Sequence, residues 1–194
     1  MTRFFDIMFS LLGLIILMPF FIIIALCIAC TSHGGIFYAQ KRVGQCNKDF
    51  TLFKFRTMVV DADERGLLTV GAKDVRITCV GHFLRKYKLD ELPQLWNVLK
   101  GEMSWVGPRP EVRKYVDLYN DEQKRVLTVR PGITDYASIA YRNENNILAQ
   151  SSNPEKQYVE EIMPEKLQLN LRYIENQSVR EYFKILWLTG KAVF

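Results

Sequence analysis

The sequence predicts a mostly helical α/β domain with a short β-hairpin and amphipathic interface helices, preceded by one apolar helix that enters a membrane. Three observations predict it. Of the first 30 residues, 24 are hydrophobic, whereas the remaining 164 are hydrophobic at about 42%, an ordinary soluble composition. The first 40 residues hold one base, Arg3, and one acid, Asp6, so the net charge of +5 lies in residues 41–194. Beyond the apolar segment, two short aromatic runs flank a polar turn, and several later segments repeat apolar residues at helical spacing. Together these exclude a polytopic transporter, a disordered tail and a disulfide scaffold, and they disfavour a freely soluble enzyme.

The apolar segment comes first. Residues 7–30 carry no charge. A straight helix of that length reaches about 36 Å, enough to cross a hydrocarbon core of about 30 Å. Pro19 stands in the middle, where it removes a backbone donor and crowds the preceding turn. If the helix breaks there, each half is only about 18 Å long and cannot span alone. A single spanning anchor and a re-entrant helix broken at Pro19 both remain open on this basis. Lys41, Arg42, Lys48, Lys54 and Arg56 should stay on the cytoplasmic side. A cleaved signal peptide is disfavoured, because its apolar run is only about 7–15 residues. The expected division is a membrane helix over 1–31 and a cytoplasmic domain over 32–194.

Residues 36–40 and 50–56, separated by the polar stretch 44–49, read as a hairpin. The acidic stretch 61–66 reads as a short helix or lid-like loop. Val80, Phe83, Leu84 and Tyr87 recur at helical spacing. In KLDELPQLWNVLKGEMSWVGPRP, residues 88–110, Leu92, Leu95, Trp96 and Leu99 fall on one helix face. Asp90 stands where an N-cap belongs, Pro93 is in the first turn, and Gly101 ends the helix. Residues 111–119 and 122–129 look helical, and RPGIT, residues 130–134, reads as a turn. Pro154 opens a helical stretch to about residue 175, interrupted by Pro164. The segment 179–194 places Tyr182, Phe183, Leu186 and Trp187 on one face, suited to core packing, to a membrane interface or to a second subunit, so a homodimer stays open. The four cysteines have no zinc spacing, and His33 and His82 lie far apart, which suits a reduced cytoplasmic domain.

The chemistry concentrates around Asp90 and Glu91. Adjacent acids at a helix start are favourable as caps and dipole partners, and that reading competes with a catalytic one. Arg85, Lys86 and Lys88 precede them. Arg109 follows, held between two prolines in a stiff loop from which a guanidinium can fork onto phosphate. Lys54 and Arg56 alternate along a strand and share a face. Many bases around two acids suit a substrate with several phosphates: one carboxylate could hold Mg²⁺ and the other attack phosphorus. No Walker loop or kinase motif set is present.

The motifs GGIFYAQKRVGQ, FTLFKFRTM, LRKYKLDELPQLWNVLKGEMSWVGPRP and RPGIT, in that order and over nearly the whole chain, resemble the bacterial sugar transferase family, the monotopic polyprenyl-phosphate phosphoglycosyl transferases, in their small catalytic-unit form. The resemblance implies a re-entrant membrane helix and a cytoplasmic catalytic region at the bacterial inner membrane. It also implies transfer of a sugar phosphate from a UDP-sugar to undecaprenyl phosphate with release of UMP. Carried over by motif, Asp90 is the nucleophile that forms a phosphosugar ester and Glu91 the Mg²⁺ ligand. Lys54, Arg56, Arg85, Arg109 and Arg142 would bind phosphate. Two departures stand out. The family's Ser-Pro at the helix break is Met18-Pro19 here. The Gly-Trp-Ala-Gln that often follows RPGIT is Asp135-Tyr136-Ala137-Ser138, a difference that bears on sugar identity rather than on catalysis.

Two other function classes compete with this reading. A non-catalytic membrane-anchored module could bind acidic partners or lipid head groups through its bases, but it would not need the paired acids. A nucleic-acid partner is not expected, because the bases alternate with nearly as many acids and no binding motif occurs.

Overall fold

A computed structural model describes residues 2–62 and 74–193. The chain begins with one long helix, α1 (Thr2–Thr31), with Pro19 inside it. Pro19 deletes one backbone hydrogen bond, and the turns on either side carry the helix across. Most large side chains of α1 are exposed, Phe4, Ile15, Ile16, Met18 and Leu26 among them. Asp6, Ser10, Ile24 and Ile28 are buried against the rest of the chain.

The expected hairpin forms from β1 (Phe37–Val43) and β2 (Asp49–Phe55), paired antiparallel around a polar turn at 44–48. Lys54 stands opposite Tyr38, and Phe55 stacks on Phe37. Two helices follow, α2 (Cys79–Lys86), capped by the Thr78 hydroxyl, and α3 (Gln94–Lys100). α3 ends at Gly101, whose φ of 87° lies where only glycine is unstrained. The acidic stretch read as a helix or lid falls mostly outside the described residues.

RPGIT is not only a turn. Gly132–Thr134 is a strand, β4, paired in parallel with β3 (Ser104–Val106). The two backbones meet so closely that a Cβ on Gly132 would lie 2.1 Å from the amide nitrogen of Gly107. The helices expected over 111–119 and 122–129 are shorter: α4 (Arg113–Val116) and a 3-10 stretch, Gln123–Thr128. Then come α5 (Tyr136–Ala140), α6 (Glu144–Ala149), α7 (Pro154–Gln157), α8 (Met163–Glu175) and α9 (Val179–Val193). The interruption expected at Pro164 is a π-helical turn, Tyr158–Ile162, just before it. Widening the ladder there accommodates a residue with no N–H to donate.

Among the described residues, four apolar clusters hold these elements together. The largest joins Val43 of β1, Val112 and Val116, Tyr158, and Leu167 and Leu171 of α8. A second packs Ile24 and Ile28 of α1 on Phe55 and Leu84. A third sets Tyr182 and Ile185 of α9 on Val106, and the fourth joins Leu52, Val98 and Met103. On α9 the buried residues are Tyr182 and Ile185, while Phe183 and Trp187 are exposed. The single face predicted for Tyr182, Phe183, Leu186 and Trp187 is therefore split, with one side for the core and one left outward. Trp96 likewise points outward from α3, where Leu95 and Val98 take the buried positions.

Both ends of α1 rest on this domain. The Arg3 guanidinium donates to the carbonyls of Val98 and Leu99 at the end of α3. Asp6 accepts hydrogen bonds from the Ser104 hydroxyl (2.9 Å), the Trp105 amide (3.0 Å) and the Tyr182 hydroxyl (2.9 Å). At the far end, Ser32 meets Arg56.

Candidate active site

The loop between α2 and α3 carries the two acids. Lys88 takes a left-handed backbone, φ 57°, a conformation that costs a lysine on the order of 1 kcal/mol. Such strain is kept where the surrounding fold enforces it, often at functional sites. It swings the chain into a single 3-10 turn, Leu89–Glu91, that turns both acids inward. Asp90 is 7% exposed. It does not cap α3 as expected: that helix begins at Gln94 with Pro93 in the cap position and no side-chain cap. Asp90 Oδ1 is buried with no hydrogen-bond partner.

Glu91 is the opposite case. The Arg109 guanidinium forks onto it, with Nη1 3.3 Å from Oε2 and Nη2 on Oε1. Lys54 Nζ donates to Oε1 at 3.4 Å. Burial alone would raise the Glu91 carboxyl, but the charges of Arg109 and Lys54 outweigh it and hold Glu91 well below the usual carboxylate range. Burial pushes Asp90 up instead, reinforced by the charge of Glu91 and only partly offset by Lys54, Arg85 and Lys88. Burial also lowers Lys54 to about 8, because Arg109 and Arg42 add to the desolvation that Glu91 opposes. Glu91 in turn raises Arg109. Two adjacent carboxylates thus sit in divergent environments, one neutralised by cations and one with a free oxygen, which is how neighbouring acids come to hold different roles. Among the described residues no group of three or more His, Cys, Asp or Glu could hold a metal ion.

This geometry sits within a recognisable chain. The family model described as bacterial sugar transferase matches residues 1–194. The chain belongs to the bacterial sugar transferase family. It is 40% identical over 158 residues to a protein of Bacillus subtilis (strain 168) named "Uncharacterized sugar transferase EpsL", covering 81% of this chain and 69% of that one. It is 36% identical over 188 residues to the UDP-glucose:undecaprenyl-phosphate glucose-1-phosphate transferase of Klebsiella pneumoniae, covering 95% of this chain but 38% of that one. A third relative is the UDP-N-acetylgalactosamine-undecaprenyl-phosphate N-acetylgalactosaminephosphotransferase of Aeromonas hydrophila. There the identity is 38% over 139 residues, 70% of this chain and 33% of that one. The matched part of the chain therefore spans only about a third of the length of these last two relatives.

Of the cations predicted to bind phosphate, the fold gathers Lys54 and Arg109 on Glu91, with Arg85 close enough for its charge to act on Asp90. Arg56 is placed elsewhere. Its Nη2 donates to the carbonyl (3.2 Å) and hydroxyl (3.0 Å) of Ser32, just past the end of α1, where a cation suits the helix dipole. The shared face predicted for Lys54 and Arg56 ends with the strand, because β2 stops at Phe55. Arg142 is exposed in the turn after α5, outside the ion-pair cluster.

Two positioning residues escaped the sequence reading. Asn97, fully buried on α3, accepts from the Phe53 amide (3.1 Å) and donates to the Thr51 carbonyl (2.7 Å). It satisfies the outer edge of β2 and so fixes the strand of Lys54 beside the helix that follows the acids. Asp135 caps α5 and accepts the Arg109 amide at 3.0 Å. The sequence marks Asp135 only as a departure from the common family motif, and an asparagine on an otherwise apolar helix face is the sole signal for Asn97.

Proposed function

We propose that the chain is a UDP-sugar:undecaprenyl-phosphate sugar-1-phosphate transferase, acting in the first membrane step of exopolysaccharide, capsule or lipopolysaccharide synthesis. The observation that carries this reading is Asp90: buried, with an unpartnered carboxylate oxygen, beside a Glu91 already neutralised by Lys54 and Arg109. The printed activities of the Klebsiella and Aeromonas relatives supply the substrate class.

In the reaction, an Asp90 oxygen attacks the β-phosphorus of the UDP-sugar. The bond from that phosphorus to the bridging oxygen breaks, and its electron pair leaves with UMP. An oxygen of undecaprenyl phosphate then attacks the same phosphorus and releases the Asp90 carboxylate. Two displacements at one nucleophile let a water-soluble donor and a lipid acceptor use the site in turn. Lys54, Arg85 and Arg109 offset the charge that builds as a carboxylate approaches a diphosphate.

One position on Glu91 is left for Mg²⁺. A carboxylate offers about four lone-pair sites. On Glu91 Lys54 and Arg109 take three of them. Glu91 would hold the ion, whose remaining ligands are commonly waters and substrate phosphates. When bound, it would supply Lewis-acid stabilisation of the diphosphate.

The placement of α1 supports the re-entrant topology. A domain on one side of a bilayer does not reach both ends of a helix that crosses it, yet Arg3 and Asp6 at one end and Ile24, Ile28 and Ser32 at the other all touch the same domain. We place the domain on the cytoplasmic face of the inner membrane, with the exposed apolar side of α1 in the lipid.

The test is to combine detergent-solubilised protein with UDP-sugars, Mg²⁺ and undecaprenyl phosphate and to measure UMP. Release is expected with at least one UDP-sugar, and Asp90→Asn should abolish it without unfolding the domain. Full activity in that variant would remove Asp90 as the nucleophile. Periplasmic labelling of a cysteine introduced at residue 2 in sealed vesicles would refute the re-entrant placement.

A further inference from the structure

Asp90 Oδ1 is not the only enclosed atom without a partner in its loop. Four residues on, at the start of α3, Gln94 is 2% exposed, and its Nε2 is also buried with no hydrogen-bond partner. One atom is an acceptor and the other a donor. Each is costly to leave unpaired in the interior. The cations beside them do not meet this need, because Lys54 and Arg109 hydrogen-bond to Glu91.

The backbone brings the two side chains to one side of the chain. From Leu89 to Lys100 it winds right-handed without interruption: the 3-10 turn Leu89–Glu91, then Leu92 and Pro93 in helical conformation, then α3. Residues four apart on such a stretch are neighbours, with Cβ atoms roughly 5–6 Å apart. Two methylenes carry the Gln94 carboxamide, and its last torsion turns over a broad range. A rotation of that group closes an N–H onto Oδ1. Oδ1 itself is enclosed by protein and out of reach of a substrate, so attack on phosphorus falls to Oδ2.

We propose that Gln94 is a positioning residue for the nucleophile: its Nε2 donates to Asp90 Oδ1 and so presents Oδ2 to the β-phosphorus. The inference rests on the proposed transferase reading. A neutral donor suits this task. It fixes the plane of the carboxylate and satisfies the inner oxygen, but it brings no cation of the kind that neutralises Glu91, so Asp90 keeps its charge for the attack. A carboxylate free to turn loses the alignment that displacement needs, and a misplacement of about 1 Å can cost about a hundredfold in rate.

The test pairs kinetics with a direct view of the hydrogen bond in the full-length protein in detergent. Gln94→Met keeps the length of the side chain and removes its donor. It should lower kcat for UMP release at least about tenfold and leave KM for the UDP-sugar within about twofold, because Gln94 touches no substrate. The second readout is the nuclear magnetic resonance spectrum of ligand-free protein labelled with ¹⁵N-glutamine. One Gln94 Nε2 proton should lie downfield of the free carboxamides, as a bond to a charged acceptor requires, and Asp90→Leu should return it to their position. Gln94→Glu, which has the same shape as the native side chain, supplies the assignment, so the spectral test stands even where Gln94→Met does not fold. A kcat within about twofold of the wild type in Gln94→Met, a rise in KM alone, or Gln94 protons that lie with the free carboxamides would each overturn the assignment. Turnover of a UDP-sugar with unshifted Gln94 protons sinks the pair and spares the transferase reading. A shifted Gln94 proton in a protein that turns over no UDP-sugar retains the pair and sinks that reading.

Discussion

Lys54 gives the site a pH signature that an ordinary lysine would lack. Burial, with Arg109 and Arg42 nearby, brings its ammonium from 10.5 down to about 8. Lys54 should then be about 90% charged at pH 7 and about 10% charged at pH 9, whereas an unperturbed lysine stays almost fully charged throughout. Since kcat/KM follows the free enzyme, it should fall roughly tenfold between pH 7 and 9 if the charged form binds the diphosphate. Stability moves the other way. Between about 8 and 10.5 the folded protein holds a neutral Lys54 and the unfolded chain a charged one. The unfolded state therefore binds more protons, so the Lys54 contribution to stability grows as pH rises and is lost as pH falls through 8. Its full extent is about 3 kcal/mol. The assay is UMP release across pH 6.5–9.5, alongside thermal melting of the wild type and Lys54→Met at each pH. Lys54→Arg, which cannot titrate in this range, should flatten the alkaline limb. A wild-type profile flat to pH 9.5, or an alkaline limb that persists in Lys54→Arg, would refute the reasoning.

Other perturbations probe the supports of the site. Glu91→Gln leaves Arg109 and Lys54 without their counter-charge. It should cost about 3 kcal/mol in chemical denaturation as well as turnover. Asp6→Ala strands the Ser104, Trp105 and Tyr182 donors in the interior. A loss of about 3 kcal/mol is expected, and less than 1 kcal/mol would mean that Asp6 does not anchor α1. Gly101→Ala places a Cβ at φ 87°, 3.4 Å from the Arg3 guanidinium, and should lower stability by about 1 kcal/mol without changing KM.

Local signals were legible where one residue type decides the backbone. Gly101 ends its helix as expected because the left-handed terminus needs glycine. The hairpin was readable from its polar turn, within a few residues at each end. Pro164 announced an irregularity whose form, a π-helical turn, the sequence did not specify. Legibility failed where a partner lies far along the chain. Three-residue strands such as β3 and β4 carry no alternation of their own, and they exist because Ser104 and Val106 meet Gly132 and Thr134. Trp96 fits the apolar stripe of α3 by spacing alone, but the neighbouring elements cover Leu95 and Val98 instead.

The same division holds for the site. Sequence by itself determined which residues are available: a long uncharged segment, two adjacent acids, bases on either side and an arginine held between prolines. These are covalent facts, and periodicity and turn chemistry carry them a short way into three dimensions. Only the tertiary structure decided the roles. It sent Arg56 to the end of α1 and Lys54 to Glu91, although the two bases are separated by one residue. It also left Asp90 without a partner while neutralising Glu91. Charge environments of this kind depend on distances between segments 18 to 37 residues apart and on the water excluded between them. Neither quantity is written in local sequence.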